Sequence, residues 1–236
     1  MLDERDLTQE RKWHYEQLAK KCLKAVEQNN MGAYYAQDCE DARSTVLQLI
    51  PEGVTIGFGD SVTLLQAGIT QEIEERWGDR VFNPFRVGAE GVSNVSGREL
   101  IELMRRAASA DVFLTGVNAI TMDGKLVNTD SFGNRVGGLV FGPRKVIAVG
   151  GANKIVSNLD EAFERIKKIA APMNARRHYL KHGGEQLPCA ITGKCVDCRH
   201  PSRICNFTLI VESQRPPRAG RTPRINIVLV GEELGI

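Results

Sequence analysis

Four of the six cysteines of this 236-residue chain fall within 17 residues, as Cys189, Cys195, Cys198 and Cys205 in a C-x5-C-x2-C-x6-C arrangement. Four thiolates supply a complete coordination shell for zinc or for an iron–sulfur cluster such as 4Fe-4S. Pro188, Gly193 and Pro201 provide tight turns that let the sulfurs converge, and Arg199 and Arg203 would offset the negative charge of a tetrathiolate. Structural zinc sites usually present two close pairs. Here one close pair stands with two separate cysteines, a spacing nearer to iron–sulfur, with zinc and free redox-active thiols as the alternatives. Cys22 and Cys39 have no such neighbours and read as packing residues.

A second candidate is Gly57-Phe58-Gly59-Asp60-Ser61-Val62-Thr63, a strand running through a glycine-rich turn into a helix. Amides exposed at such a turn stabilise phosphate or carboxylate, and Ser61 and Thr63 add hydroxyls; a plain tight connection is the structural alternative. It is not the dinucleotide fingerprint, because Val62 stands where the third glycine would be. A third candidate runs from Thr115-Gly116-Val117-Asn118 through Asp123-Gly124 and Asn128-Thr129-Asp130 to Gly133-Asn134-Arg135. It starts where a strand ends, which is the usual ligand side of an open α/β sheet. Asp123 or Asp130 could act as acid or base with Arg135 holding an anion; otherwise Asp123-Gly124 is a hairpin turn and Asp130 caps a helix. Lys154 and Arg176 could complete an anion pocket or have ordinary surface roles, and His14, His178, His182 and His200 show no triad-like pattern.

The elements that must position these residues read as an alternation. Helical spacing of Trp13, Leu18, Cys22, Leu23 and Val26 predicts an amphipathic helix over 8–29, and a second helix runs from Glu40 to Leu49. Short apolar runs at 54–58, 81–82, 112–114, 145–149 and 225–230 then alternate with helices. That pattern predicts an α/β fold with a largely parallel, Rossmann-like sheet flanked by helices. Ser96-Gly97-Arg98-Glu99 and Asn158-Leu159-Asp160-Glu161 are capping boxes, and the helix after the second places Leu159, Ala162, Phe163, Ile166 and Ile169 on one face. The organisation expected is an N-terminal helical segment over 1–38 and an α/β domain over 39–236. A Cys- and Arg-rich insertion at about 183–224 precedes the last strand.

Size and charge narrow the class. No apolar run approaches the roughly 20 residues of a membrane-crossing helix. The opening Met1-Leu2-Asp3-Glu4-Arg5-Asp6 lacks the features of a secretory signal, so the expected location is the cytoplasm. The net charge of +2 gives no strong field for a polyanion. Between Arg199 and Arg224 six arginines face one acid, Glu212, a local cationic stretch that suits a solvated arm or an acidic partner. Nucleic acid is disfavoured there, since Phe207 is the one aromatic residue among these arginines.

Within Asp111–Val156, the runs Thr-Gly-Val-Asn-Ala-Ile, Val-Asn-Thr-Asp-Ser-Phe-Gly-Asn-Arg and Phe-Gly-Pro-Arg-Lys-Val-Ile resemble the LUD-domain family, formerly DUF162. The resemblance extends to Gly57-x-Gly59-Asp60-Ser61, Asn153-Lys154-Ile155-Val156 and Ala171-Pro172-x-Asn174-Ala175-x-Arg177, covering roughly 40–236. It implies a fold of the NagB/RpiA/CoA-transferase type, a link to lactate utilisation beside iron–sulfur partner proteins, and a ligand cleft using Gly57, Gly59, Ser61, Asn118, Asp123, Asp130, Asn134 and Arg135. The four-cysteine insertion is an addition that the simplest members need not have.

Three functions follow as expectations: a redox-associated protein acting on a small 2-hydroxy acid, a phosphosugar or acyl-CoA isomerase or transferase with structural zinc, and a non-catalytic assembly subunit. The ligand in the first two is a small anion, whether phosphate, carboxylate or CoA ester, and a homo-oligomer is compatible with all three.

Overall fold

The structure, a computed structural model, describes residues 5–86, 95 and 97–236. Helix α1 (Thr8–Gln28) leads into strand β1 (Gly32–Ala36) and helix α2 (Cys39–Leu49). Strand β2 (Ile56–Phe58) is followed by α3 (Val62–Gln66), α4 (Ile69–Trp77) and β3 (Val81–Phe82). Helix α5 (Gly97–Ala108) precedes β4 (Val112–Gly116), the hairpin of β5 (Ala119–Thr121) and β6 (Leu126–Asp130), and α6 (Asn134–Val140). After β7 (Lys145–Gly151) and β8 (Ile155–Val156) come α7 (Leu159–Arg165), α8 (Ala171–His182), α9 (Pro188–Thr192), β9 (Phe207–Val211) and β10 (Ile225–Val230).

The main sheet has six parallel strands in the order β1-β10-β7-β4-β2-β3, the α/β architecture that the alternation predicts. Both of its faces are covered, so its central strands are apolar throughout and period two sorts their residues. Val112, Leu114, Ile147, Val149, Val228 and Val230 pack with α2, α3 and α4. Phe113, Val146, Ala148, Ile227 and Leu229 face α1 and α6 instead. A second sheet, ordered β8-β5-β6-β9, lies on that side. Its Ile120 and Leu126 join the cluster under α1, while Ala119 and Val127 turn to Ala162 of α7 and to Ile166 just after it. No helix among the described residues is long and apolar enough to cross a membrane.

Several elements differ from the expectations. Strand β1 falls inside the N-terminal segment read as helical, and it pairs in register with β10, joining that segment to the main sheet. Its few half-buried residues at a sheet edge carry no alternation strong enough to read. The second sheet was unforeseen because all four of its strands are five residues or shorter, and β9 lies within the stretch read as an irregular insertion. Ile169 and Phe163 are exposed rather than core residues. Ile166–Ala170 forms a π-helical turn between α7 and α8, and this wider turn resets the phase so that Ile166, Ala170 and Ala175 are the buried residues. Asn158 caps α7 through Glu161 N–H as expected, but Glu161 reaches back to Ser157 N–H. Ser96 lies outside the described residues.

Helix α5 crosses β2 at Gly57, where a Cβ would stand 2.7 Å from the Ala107 Cα. Gly57→Ala must therefore separate backbone from backbone, and we expect it to cost about 1–3 kcal/mol. Gly137 in α6 has open space around it, and Gly137→Ala should be neutral or stabilise by about 0.4–1 kcal/mol. Urea unfolding of the two variants beside the wild type checks both signs.

Candidate functional site

The parallel strands β2, β4 and β7 end at one side of the sheet, and their following loops wall a cleft of about 820 Å³. Asp60, Ser61 and Thr63 follow β2, Gly116 and Asn118 end β4, and Lys154 follows β7. Close approach of these loops requires glycine: a Cβ at Gly116 would stand 2.6 Å from Ser61 Oγ, and one at Gly59 would press on Phe113 and Arg135. Ser61 Oγ accepts Leu64 N–H at 3.3 Å and so caps α3.

Asn118 organises the floor. Its N–H donates to Asn128 Oδ1 (2.9 Å), its Oδ1 accepts from Thr129 N–H (2.8 Å) and Arg135 Nη2 (3.2 Å), and its carbonyl accepts from Arg165 Nη1 (2.6 Å). Arg135 also donates to the Thr129 carbonyl (2.6 Å) and Arg165 to the Asn153 carbonyl (3.1 Å). Two guanidiniums are thus held by neutral oxygens, and Arg135 Nε is buried with no partner. Beside them Lys154 is 3% exposed and donates from Nζ to Thr63 Oγ1 (2.8 Å). Burial, aided by Arg165 and Arg135, pushes its pKa down to about 7. None of the three cations forms an ion pair among the described residues, so a negative charge bound here would meet a cationic, partly desolvated floor.

The mouth of the cleft carries Asp60, Arg177, His178 and His182. Arg177 grips Asp60 with both terminal nitrogens (2.6–2.9 Å) and ties the β2 loop to α8. His178 Nε2 lies 4.0 Å from Asp60, and burial holds the imidazole below the ordinary histidine range against the pull of that carboxylate.

The predicted site residues divide. Ser61, Thr63, Asn118, Asp130, Asn134, Arg135 and Lys154 all line the cleft. Asp130 gives its carboxylate to the amides of Ser131 (3.0 Å), Arg135 (2.9 Å) and Val136 (3.4 Å), the capping role weighed against acid–base work. Asp123 stands apart at the β5–β6 turn, where Thr121 hydrogen-bonds it, Lys125 pairs with it at 3.1 Å, and both hold its pKa below the usual carboxylate range. Gly57 serves the α5 crossing, and Gly59 packs behind Arg135. Arg176 lies outside the cleft with Gln186 (3.2 Å) and the Tyr179 ring, and its neighbour Arg177 takes the inward position. Asp60, Arg165, Arg177 and His178 were missed as site residues. Asp60 meets Arg177 and His178 across more than a hundred residues, and Arg165 bonds Asn118 across 47, so no local spacing marks them.

The cysteine-rich segment forms another wall: residues 201–206, Cys205 among them, border the same cleft. The π-turn explains part of its docking. Ala171 N–H reaches the Ile166 carbonyl five residues back, and the next such donor would be Pro172, which has no N–H. The Lys167 carbonyl is left free and accepts Cys195 N–H at 2.9 Å. Burial pushes the Cys189 thiol up, and Cys198, Cys205 and Cys195 near it push it further. Asp197 N–H points at Cys195 Sγ and Arg203 Nη2 at Cys205 Sγ, both at 3.4 Å. The donor set therefore has the chemistry of a tetrathiolate site, while no three His, Cys, Asp or Glu side chains among the described residues are grouped to hold a metal as they stand. His200 pairs with Glu185 at 3.2 Å. Cys22, with its thiol donating to the Thr121 carbonyl and its pKa pushed up to about 12 by burial, is a packing residue. Of the Arg-rich stretch, Arg224 binds the carbonyls of Gly138, Leu139 and Pro143 and so caps the end of α6.

A parallel α/β sheet with a cationic cleft beyond its strand ends is the class of molecule these features define. The chain belongs to the LUD domain family, whose model matches residues 19–230. Among solved structures, the crystal structure of a DUF162 family protein from Deinococcus radiodurans is similar over 92% of this chain and 97% of its own, with 12% identity and a TM-score of 0.48. No curated protein matches the chain.

The depressed Lys154 has a measurable consequence. Its folded pKa near 7 lies below the ordinary 10.5, so across that window the unfolded chain binds more protons, and stability rises with pH. Urea unfolding of the wild type should accordingly show a stability gain from about pH 7 to about pH 9.5 that Lys154→Met lacks. Parallel pH profiles for the two would refute the assignment.

Proposed function

We propose that this LUD-family protein binds a small 2-hydroxy acid such as lactate in the cleft and works in its oxidation as an electron-transfer or accessory component in the cytoplasm. The observation that supports the reading is the cation group of Arg135, Arg165 and Lys154, held by neutral oxygens and forming no ion pair among the described residues. Arg135, a cation lining the cleft, would take the carboxylate, and the Ser61 hydroxyl and Asn118 at the same wall would meet the hydroxyl group. The four cysteines would hold an iron–sulfur cluster, which when bound supplies one-electron transfer beside the cleft, since Cys205 borders it. Arg203, donating to the Cys205 sulfur, would balance part of the cluster's charge.

The size of the cleft favours a second reading. A volume of about 820 Å³ also suits a ligand as large as a phosphosugar or the end of an acyl-CoA, with zinc at the cysteines pinning the wall. Protein purified without oxygen separates the two. The first reading expects a brown protein with iron and sulfide that Cys195→Ala combined with Cys198→Ala loses; zinc alone would rule out electron transfer. Calorimetric titration should show lactate binding weakened about 10- to 100-fold in Arg135→Gln, the worth of one charge-assisted hydrogen bond. Unchanged affinity would remove Arg135 from the carboxylate site.

A further inference from the structure

We propose that Lys154 is a nucleophilic lysine that forms an imine with the carbonyl carbon of a small 2-oxo acid bound in this cleft. The inference rests on the anion-binding reading of the same cleft and adds to it a covalent step and a substrate class.

A lysine that serves only as a charged anchor is normally solvated or paired with an acid. Lys154 is neither. Its amine is buried at the cleft floor and donates to the Thr63 hydroxyl, and the charged neighbours that act on it are both cations. Gly235 closes over it so tightly that a Cβ there would stand 2.7 Å from Nζ, which accounts for part of the lost hydration. Desolvation and like charge are the two conditions that keep a lysine amine neutral and reactive near neutral pH. With one N–H given to Thr63, the nitrogen lone pair of the neutral amine is free to attack.

A 2-oxo acid satisfies both halves of the site. Its carboxylate would go to Arg135, which lines the same cleft, and its carbonyl lies one bond away. The amine adds to the carbonyl carbon, and the π pair moves to oxygen, which is protonated as the nitrogen loses a proton. Loss of that oxygen as water then forms the carbon–nitrogen double bond. Water is the sole by-product and no electrons change hands. A 2-oxo acid is the oxidised partner of a 2-hydroxy acid, so the same cleft would hold a lactate-type ligand reversibly and a pyruvate-type ligand covalently.

The test is reductive trapping of the intact chain with pyruvate and sodium cyanoborohydride, followed by peptide mapping, with circular dichroism confirming the fold of each variant. Lys154 should carry one reduced pyruvyl group, acquired at least about tenfold faster than by any surface lysine, and excess lactate should suppress it. Lys154→Met and Lys154→Arg should both lose that label, the second while keeping a cation in place. Calorimetric lactate binding is measured on the same protein. Lactate binding with no preferential label on Lys154 overturns the imine and leaves the anion cleft standing; absence of both binding and label overturns the two together.

Discussion

Arg135 and Lys154 line one cleft with Arg165 close to them, none of the three forms an ion pair among the described residues, and much of the surrounding structure serves to hold them there. Burying a charge without a partner is costly, and two means of meeting that cost are visible. Arg135 and Arg165 are held by neutral oxygens, most of them arranged around Asn118. Lys154, the one member that can release its proton near neutral pH, has its pKa driven down to about 7. The arginines keep their charge, so the lysine yields.

Parallel topology explains why the group forms here. Strands β2, β4 and β7 finish side by side, and each delivers its loop to the same edge: Ser61 and Thr63, Asn118, and Lys154. The second sheet then brings Thr129 and Asp130 across, and Asp130 seats α6 so that Arg135 faces inward. Long-range links close the remaining sides. Arg177 reaches Asp60 across the mouth, and the π-turn before Pro172 frees the carbonyl that holds the cysteine segment. The wall carrying Cys205 and the floor carrying Lys154 are thereby parts of one cavity.

Much of this was legible in the sequence, and the reason differs by residue. The parallel sheet was readable because its strands are buried on both faces and bounded by helices with clear periodicity, as at Val146–Val149 and Ile225–Val230. Ser61, Thr63, Asn118, Arg135 and Lys154 were readable because they sit just after strand ends, where an α/β sheet gathers ligands. Asp123 was drawn in by the same logic and belongs instead to a hairpin turn, since the second sheet could not be foreseen from strands of three to five residues. Arg176 and Arg177 differ only in helical phase, and the π-turn that sets that phase has no signal in composition. The pairing of Arg177 with Asp60 depends on tertiary contact alone.

On the proposed reading, the cleft floor takes up a negative charge and Lys154 answers it. An arriving anion should raise the lysine's depressed pKa, so binding at about pH 8 must draw protons from the buffer. Calorimetric titration with lactate in two buffers of different ionisation enthalpy reads that number directly. Net proton uptake is expected in the wild-type protein and none in Lys154→Met; binding without uptake, or equal uptake in both, would contradict the role given to Lys154.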